Sequence, residues 1–575
     1  MKAKIVKEKK SIFNYLSRKG IIIYMISYLL IIFLIWYFGL PFINLRIASS
    51  YLFFTLVLGL PGSIAFMLIV KKNNNDYNFY DTKFFSKTNA NRKITDWFKN
   101  DTIFNLLIKG FLTIMVGMLI IIGIGELTSA KIFNAKKYQE QLEIVNNSED
   151  NLKNDFDYTT NSVKLPSIDK DIAFKLAQAK LGDYGSQYSI DYDNFTIFSV
   201  TRNGKNELIR VTPLEYSQFF VSLSRMSKGT IGYIEVNVVT QETKLVKFED
   251  GLKYMPSGIL NYDLDRHIRF KEPTEYYENY YFQTDESGHP YWIVPTLKKE
   301  IGLFGGITPK GVLVVDPITG SIDKYKLGDE PSWIQRAVDE RVLEKQANNA
   351  FKYKKGYWNT VFAKEEIFQL SDGYNYFMKN GQTYYISCIT SPNENDQTSV
   401  GFIAINLKTK AAVRYQSLGI TEMRAREIAE KDERVKAQKL DSTWPILISY
   451  HDVPTYFIVL KNAVQIQKIV FINVENGELV AMNDTFSAAQ MDYESLLNDK
   501  GISSTDEKDI VSEITKIRDT GQTIEFMIKD INDTYFVVNV NVSLDARFLQ
   551  VGDKVKIKYK DHPTYNYVIE LEIIS

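Results

Sequence analysis

Apolar and polar residues are unevenly spread along this chain. Three long apolar runs, Ile21–Leu40, Tyr51–Val70 and Ile103–Gly125, fall in the first 125 residues, and nothing like them follows. Each is about 20 residues long, the length a helix needs to cross ~30 Å of hydrocarbon. A buried helix of a soluble protein normally keeps a polar stripe, whereas residues 21–36 and 51–70 carry no charge at all. The pattern predicts an anchor over residues 1–126 with three transmembrane helices at 21–40, 51–70 and 103–125. Residues 127–164, rich in Lys, Glu, Gln and Asn, read as a helical stalk. From about residue 165 a period of two takes over, with Val-, Ile-, Tyr- and Phe-rich runs broken by Asn, Asp and Gly, the mark of strands and turns. The expected fold class is α+β: three membrane helices, then β-rich quasi-repeats and a small C-terminal barrel.

Charge decides the orientation of the anchor. Residues 1–19 hold seven Lys and Arg, the turn Pro41–Ser50 holds only Arg46, and residues 71–99 hold seven again. Basic flanks stay in the cytoplasm, so the N-terminus is expected inside and residues 127–575 outside. Lys109 sits near the cytoplasmic end of the third run, where a long side chain snorkels to the headgroups. The chain has 69 basic and 69 acidic residues; 16 basic and 6 acidic precede residue 128, which leaves 53 and 63 for the remainder. An acidic exported part is a poor match for nucleic acid, which demands basic stripes, so no nucleic-acid partner is expected. Cys388 is the only cysteine, so no intrachain disulfide forms, and within an apolar strand it reads as a core residue.

Four segments share one design: apolar strand, Asn or Asp, two residues, Thr or Asn, second strand. They are Ile234–Val246, Val312–Tyr325, Phe402–Arg414 and Ile469–Ala481. Asn237, Asp316, Asn406 and Asn473 hold the equivalent place, at intervals of 79, 90 and 67 residues. A short Asx side chain accepts bonds from backbone N–H groups two residues on and starts a turn. Gly320 and Gly477 then supply a left-handed residue, while two copies carry Gln241 and Lys410 instead.

A helix, then a meander closing on strand–Asp-x-x-Thr-Gly–strand, resembles the PepSY-type domain, a small α+β module found outside bacterial membranes. The likeness rests on Asp316-Pro-Ile-Thr-Gly320 and its three degenerate copies. It divides the chain into units at 165–250, 251–345, 346–418 and 419–485, a linker at 486–509, and a tail. The stretch from Gly305-Gly306 to Trp358 also looks like a group of membrane proteins of Gram-positive bacteria and phages, to which no activity is attached. PepSY-type modules are regarded as non-catalytic regulators or protein-binding units, and that is what the resemblance implies. Residues 510–575 show five strand-like runs with a Val-Gly-Asp-Lys-Val entry to the fourth, which resembles an OB-like barrel. Lys554, Lys556, Lys558 and Lys560 alternate along one face of that strand.

Candidate chemistry is sparse. Zinc hydrolysis needs clustered His and carboxylate ligands, but His267, His289, His451 and His562 are scattered. No catalytic, metal or cofactor motif is read. The densest aromatic patch, Tyr276–Phe282 with Trp292 after it, offers stacking platforms for a glycan or partner segment, or a strand whose rings alternate between core and surface. Gly305-Gly306 reads as a tight bend or a loop over a cleft. Tyr277, Tyr281, Trp292, Gly305 and Gly306 are therefore the ligand-binding candidates, and Asn237, Asp316, Gly320, Asn406, Asn473 and Gly477 the turn residues. The expected function is that of a non-catalytic, membrane-anchored scaffold or binding protein of the bacterial envelope. Its partners would be the bilayer and other envelope proteins. The alternatives are a cell-wall hydrolase with paired carboxylates near Gly305, and a component of a transport or DNA-transfer machine.

Overall fold

In the computed structural model the described residues are 18–73, 103–157, 163–164, 166–393, 397–462, 465–500, 507–520, 523–540, 544–561 and 565–574. The fold is α+β, mostly strands, and it ends in a closed five-stranded barrel. The chain divides into two compact units. One comprises Met1–Asn134, Tyr254–Tyr277 and Thr296–Thr308; the other comprises Ala135–Lys253, Glu278–Pro295 and Pro309–Ser575.

In the first unit, helices Arg18–Gly39, Ala48–Asn73 and Ile103–Ser129 occupy the three apolar runs. Among the described residues, Ile108–Ser129 is the one stretch long and apolar enough to cross a membrane, with shorter apolar stretches at Ile26–Gly39 and Ala48–Gly59. Of the basic flanks, residues 1–17 and 74–102 lie outside the described residues. Later segments fold onto these helices. Phe304 packs where Gly125 leaves room, since a Cβ there would lie 2.2 Å from its ring. The same ring meets Tyr51 edge-on at 5.6 Å, and its backbone N–H donates to Ser129 Oγ at 2.9 Å. Trp36 stacks on Phe270 at 4.4 Å. Arg269 lies against the rings of Phe42, at 3.4 Å, and Tyr277, at 4.5 Å.

The second unit stacks sheets through shared cores. Strands Lys205–Tyr216 and Thr230–Asn237 belong to one sheet, Asn375–Lys379, Gln382–Thr390 and Thr398–Asn406 to the next, and Val453–Lys461 and Ile466–Asn473 to a third. Tyr385 and Ile389 enter a core with Leu208, Ile234 and Val236. Ile386 and Cys388, on the opposite face of the same strand, enter a core with Leu447, Tyr456 and Val470. That strand is apolar on both faces because both are covered. Each large side chain so buried contributes roughly 1.5–3 kcal/mol.

The expected helical stalk differs. Residues 127–164 include the helix Lys131–Gln139, but also strands Ile144–Asn147 and Val163–Lys164. Ile144–Asn147 pairs in parallel with Ala412–Tyr415, and Val163–Lys164 pairs with Met378 and Lys379. Free strand edges attract such pairing, and polar composition masked it.

Three of the four turns share one geometry. Asn237 Oδ1 accepts from the backbone N–H of Val239 and Thr240, Asp316 from Ile318 and Thr319, and Asn406 from Lys408 and Thr409. The fifth residue is left-handed in each: Gln241 at φ 65°, Gly320 at 74° and Lys410 at 67°. Its N–H returns to the carbonyl of the Asx residue at 2.8, 2.8 and 3.0 Å. The copies without glycine thus keep the conformation that favours it. The fourth turn departs from this pattern: Asn473 Oδ1 accepts from Asn476 N–H, the turn is one residue longer, and Gly477 has no positive φ.

In the barrel, Glu507–Asp519, Thr523–Ile528, Ile531–Asn539, Asn566–Ile574 and Lys554–Asp561 close in that order. The lysine row is flanked by acids on both neighbouring strands: Lys554 faces Glu513, Lys556 faces Glu572, and Lys558 faces Asp509 and Glu570. Cross-strand pairs of opposite sign neutralise it, so it is not a basic stripe.

Candidate functional site

A half-open cleft of about 330 Å³ lies in the second unit. Its walls come from distant parts of the sequence: the start of helix Lys170–Leu181, the loop before strand Thr196–Arg202, Arg210, Tyr281, Arg336 and Glu340, Tyr374–Tyr376, and Thr443 with Trp444.

One wall is held by ion pairs. Asp169 caps helix Lys170–Leu181, accepting from the Ile172 N–H at 2.9 Å. Its other oxygen binds the Lys461 ammonium, which also reaches Asp171 at 3.4 Å. Tyr192 donates to Asp171 at 2.7 Å. Burial and that bond push the Tyr192 phenol up to about 12. Against its own partial burial, Asp171 stays below the usual carboxylate range because Tyr192 and Lys461 favour the anion.

The floor is an arginine network. Arg336 donates to Glu340 and to the Ile197 carbonyl at 3.3 Å, and its guanidinium lies 4.3 Å from the ring of Tyr281 and 5.1 Å from that of Tyr376. Tyr376 donates to Glu340 at 2.6 Å. Although burial opposes its charge, Glu340 and Tyr376 hold Arg336 well above the ordinary arginine value. Arg210 is placed differently. Its Nη1 donates to the Phe195 carbonyl at 3.1 Å, its Nε is buried without an acceptor, and no carboxylate among the described residues pairs with it. Burial lowers its pKa, and the nearby Arg336 charge pushes the same way.

The aromatic wall is fixed as well. Gly373 leaves room for the Trp444 ring, since a Cβ there would approach it to 2.3 Å. Asn375 Nδ2 donates to the carbonyls of Trp444 and Pro445, each at 3.0 Å.

Of the ligand-binding candidates, only Tyr281 lines this cleft. Trp292 is 0% exposed and fills the core against Phe282 and Tyr280, so it presents no surface to a ligand. Tyr277, Gly305 and Gly306 belong to the first unit. Tyr277 is buried, donating to Asp265 at 2.8 Å beneath Arg269. Gly306, at φ 64°, turns the chain tightly over Ile301. Sequence reading missed Arg210, Arg336, Tyr376 and Trp444; the available signal was charge inside strand-like apolar runs, as in Ile209-Arg-Val211.

No family model matches the sequence, and no curated protein matches it. A solved structure described as "Structural mimicry for functional antagonism" aligns at 14% identity over 24% of this chain and 89% of its own, with a TM-score of 0.11. A Synechocystis apocarotenoid oxygenase mutant aligns at 8% identity over 68% of this chain and 61% of its own, with a TM-score of 0.13. At these scores neither likeness carries an argument about fold or function.

Proposed function

We propose that this chain is a membrane-anchored, extracytoplasmic binding protein of the bacterial envelope, with the Arg210–Arg336 cleft as its ligand site. Three N-terminal helices cross the bilayer, and residues 127–575 lie outside as PepSY-like units followed by an OB-like barrel. The observation that carries the reading is the cleft itself: charged and aromatic side chains from separate sheets, held in place by hydrogen bonds, around a space of ligand size. Support for the units comes from the shared turn geometry, and for the barrel from its strand order. Other envelope proteins remain the expected macromolecular partners.

The hydrolase alternative needs a carboxylic acid with a raised pKa beside a second carboxylate. In the cleft Asp169 and Asp171 are engaged by Lys461, and Glu340 by Arg336 and Tyr376, which weighs against it. The transport alternative draws on one observation: Phe304, Phe270 and Arg269 pack on residues at the helix ends in the first unit. Helices that only anchored would not need such contacts. Exchange of the three helices for an unrelated anchor tests this; unchanged ectodomain stability argues against it.

Sidedness is tested by cysteine labelling. Cys388 is 0% exposed, so the wild type is expected to be silent, whereas Leu418 is 74% exposed. In intact cells or protoplasts, Leu418→Cys should react with a membrane-impermeant maleimide. Labelling only after lysis would overturn the proposed location.

A further inference from the structure

We propose that the cleft binds a compact oxyanion, a carboxylate or phosphate group of a small ligand, with Arg210 as its counter-charge. The proposal rests on the cleft being the ligand site and names the chemistry it selects.

Three residues lining the cleft each carry a buried side-chain nitrogen that has no hydrogen-bond partner among the described residues: Arg210 Nε, Arg336 Nε and Trp444 Nε1. All three are N–H donors, and no lining acceptor is left unpartnered in the same way. A buried donor without an acceptor costs about 1–3 kcal/mol, more when it is charged. The orphaned groups at the cleft are therefore donors that lack an acceptor oxygen.

Charge singles out Arg210 among the three. Arg336 has Glu340, and Asp169 and Asp171 share Lys461. Arg210 has one carbonyl oxygen, a ring at 5.9 Å and a like-charged neighbour in Arg336; Asp169 acts on it only through space, without an ion pair, and is already bound by Lys461. Guanidinium does not shed its proton in proteins, so Arg210 cannot escape its charge by deprotonation, and an anion would match it. Its planar fork suits carboxylate and phosphate oxygens. Asp169, Asp171 and Asp193 also line the cleft, beside Lys170, and Lys461 binds the first two, so acids near the site suit a ligand with a single compact anionic group better than a polyanion. The Tyr374 and Trp444 side chains add apolar surface for the body of such a ligand.

The test is calorimetric titration of the full chain in detergent with inorganic phosphate, acetate, glycine and, as a neutral probe, glucose. Saturable binding of at least one oxyanion is expected. Arg210→Gln should weaken it at least about tenfold, and Arg210→Lys, which keeps the charge but not the fork, should weaken it less. Both variants should unfold no earlier than wild type in buffer free of oxyanions, which a purely structural arginine would not allow. No binding by any oxyanion, or equal binding by Arg210→Gln, overturns the proposal. Glucose binding that is lost in Trp444→Ala, without oxyanion binding, would keep the cleft as a ligand site and overturn only its class.

Discussion

Arg269 is buried and Arg210 half-buried; burial lowers the pKa of both, and each donates a hydrogen bond to a backbone carbonyl. Their surroundings differ. In the first unit Arg269 lies against two rings, Phe42 at 3.4 Å and Tyr277 at 4.5 Å, and its Nη1 donates to the Glu275 carbonyl at 3.1 Å. In the second unit Arg210 has a ring only at 5.9 Å and lines an open space. Desolvated cation–π contacts are worth about 2 kcal/mol, so the first arginine is stabilised by its own chain. Both leave Nε buried without an acceptor among the described residues, but the second lacks the close rings and lines an open space. The contrast separates an arginine that holds a fold together from one that waits for something to bind.

The largest expected effect lies on the Arg269 side. Arg269→Ala removes both ring contacts and a hydrogen bond, and should cost about 3–4 kcal/mol in thermal unfolding of the full chain. A loss below about 1 kcal/mol would erase the distinction from Arg210.

A buried carboxylate sharpens the comparison with the opposite sign. Glu422, in the first turn of helix Glu422–Lys431, accepts from the Cys388 N–H at 2.7 Å, while its other oxygen is buried without a partner. The Cys388 thiol and the Tyr456 hydroxyl face it, and burial raises the pKa of each well above its usual value. Burial pushes Glu422 up to about 7, from 4.5. Its folded value is raised, so the folded state binds the proton more tightly. Stability should be full below pH 4.5 and fall as pH rises towards 7, by on the order of 2–3 kcal/mol. Glu422→Gln should flatten that slope in unfolding curves taken across the window. Glu422 escapes unmatched charge by taking up a proton; Arg210 has no such route.

The smallest effect concerns turn strain, which both units of the comparison leave untouched and which therefore serves as a control. Lys410 holds a left-handed conformation that Gly320 holds in the equivalent turn. Lys410→Gly should gain about 0.5 kcal/mol and Gly320→Ala lose about 1 kcal/mol in equilibrium unfolding, with oxyanion binding unchanged.

The helices and turns were legible in the sequence because their signals are local. Apolar runs marked Arg18–Gly39, Ala48–Asn73 and Ile103–Ser129, and a single Asx residue marked each hairpin. Five strands in the C-terminal tail were legible for the same reason. The cleft was not, because Asp169, Arg210, Tyr281, Arg336, Tyr376 and Trp444 meet only through stacked sheets. Trp292 was misplaced for a related reason: strand Pro290–Ile301 is buried on both faces over most of its length, so alternation along the strand did not mark an exposed side. The stalk hid two strands because strand pairing depends on a partner edge more than on composition.

The most direct measurement is the unfolding temperature of Arg210→Met beside wild type, in buffer free of phosphate and carboxylates. An arginine left without a counter-charge should be dispensable, so Arg210→Met should unfold at or above the wild-type temperature. A drop of several degrees, like that expected for Arg269→Ala, would show that Arg210 serves the fold and would contradict its role as a ligand's counter-charge.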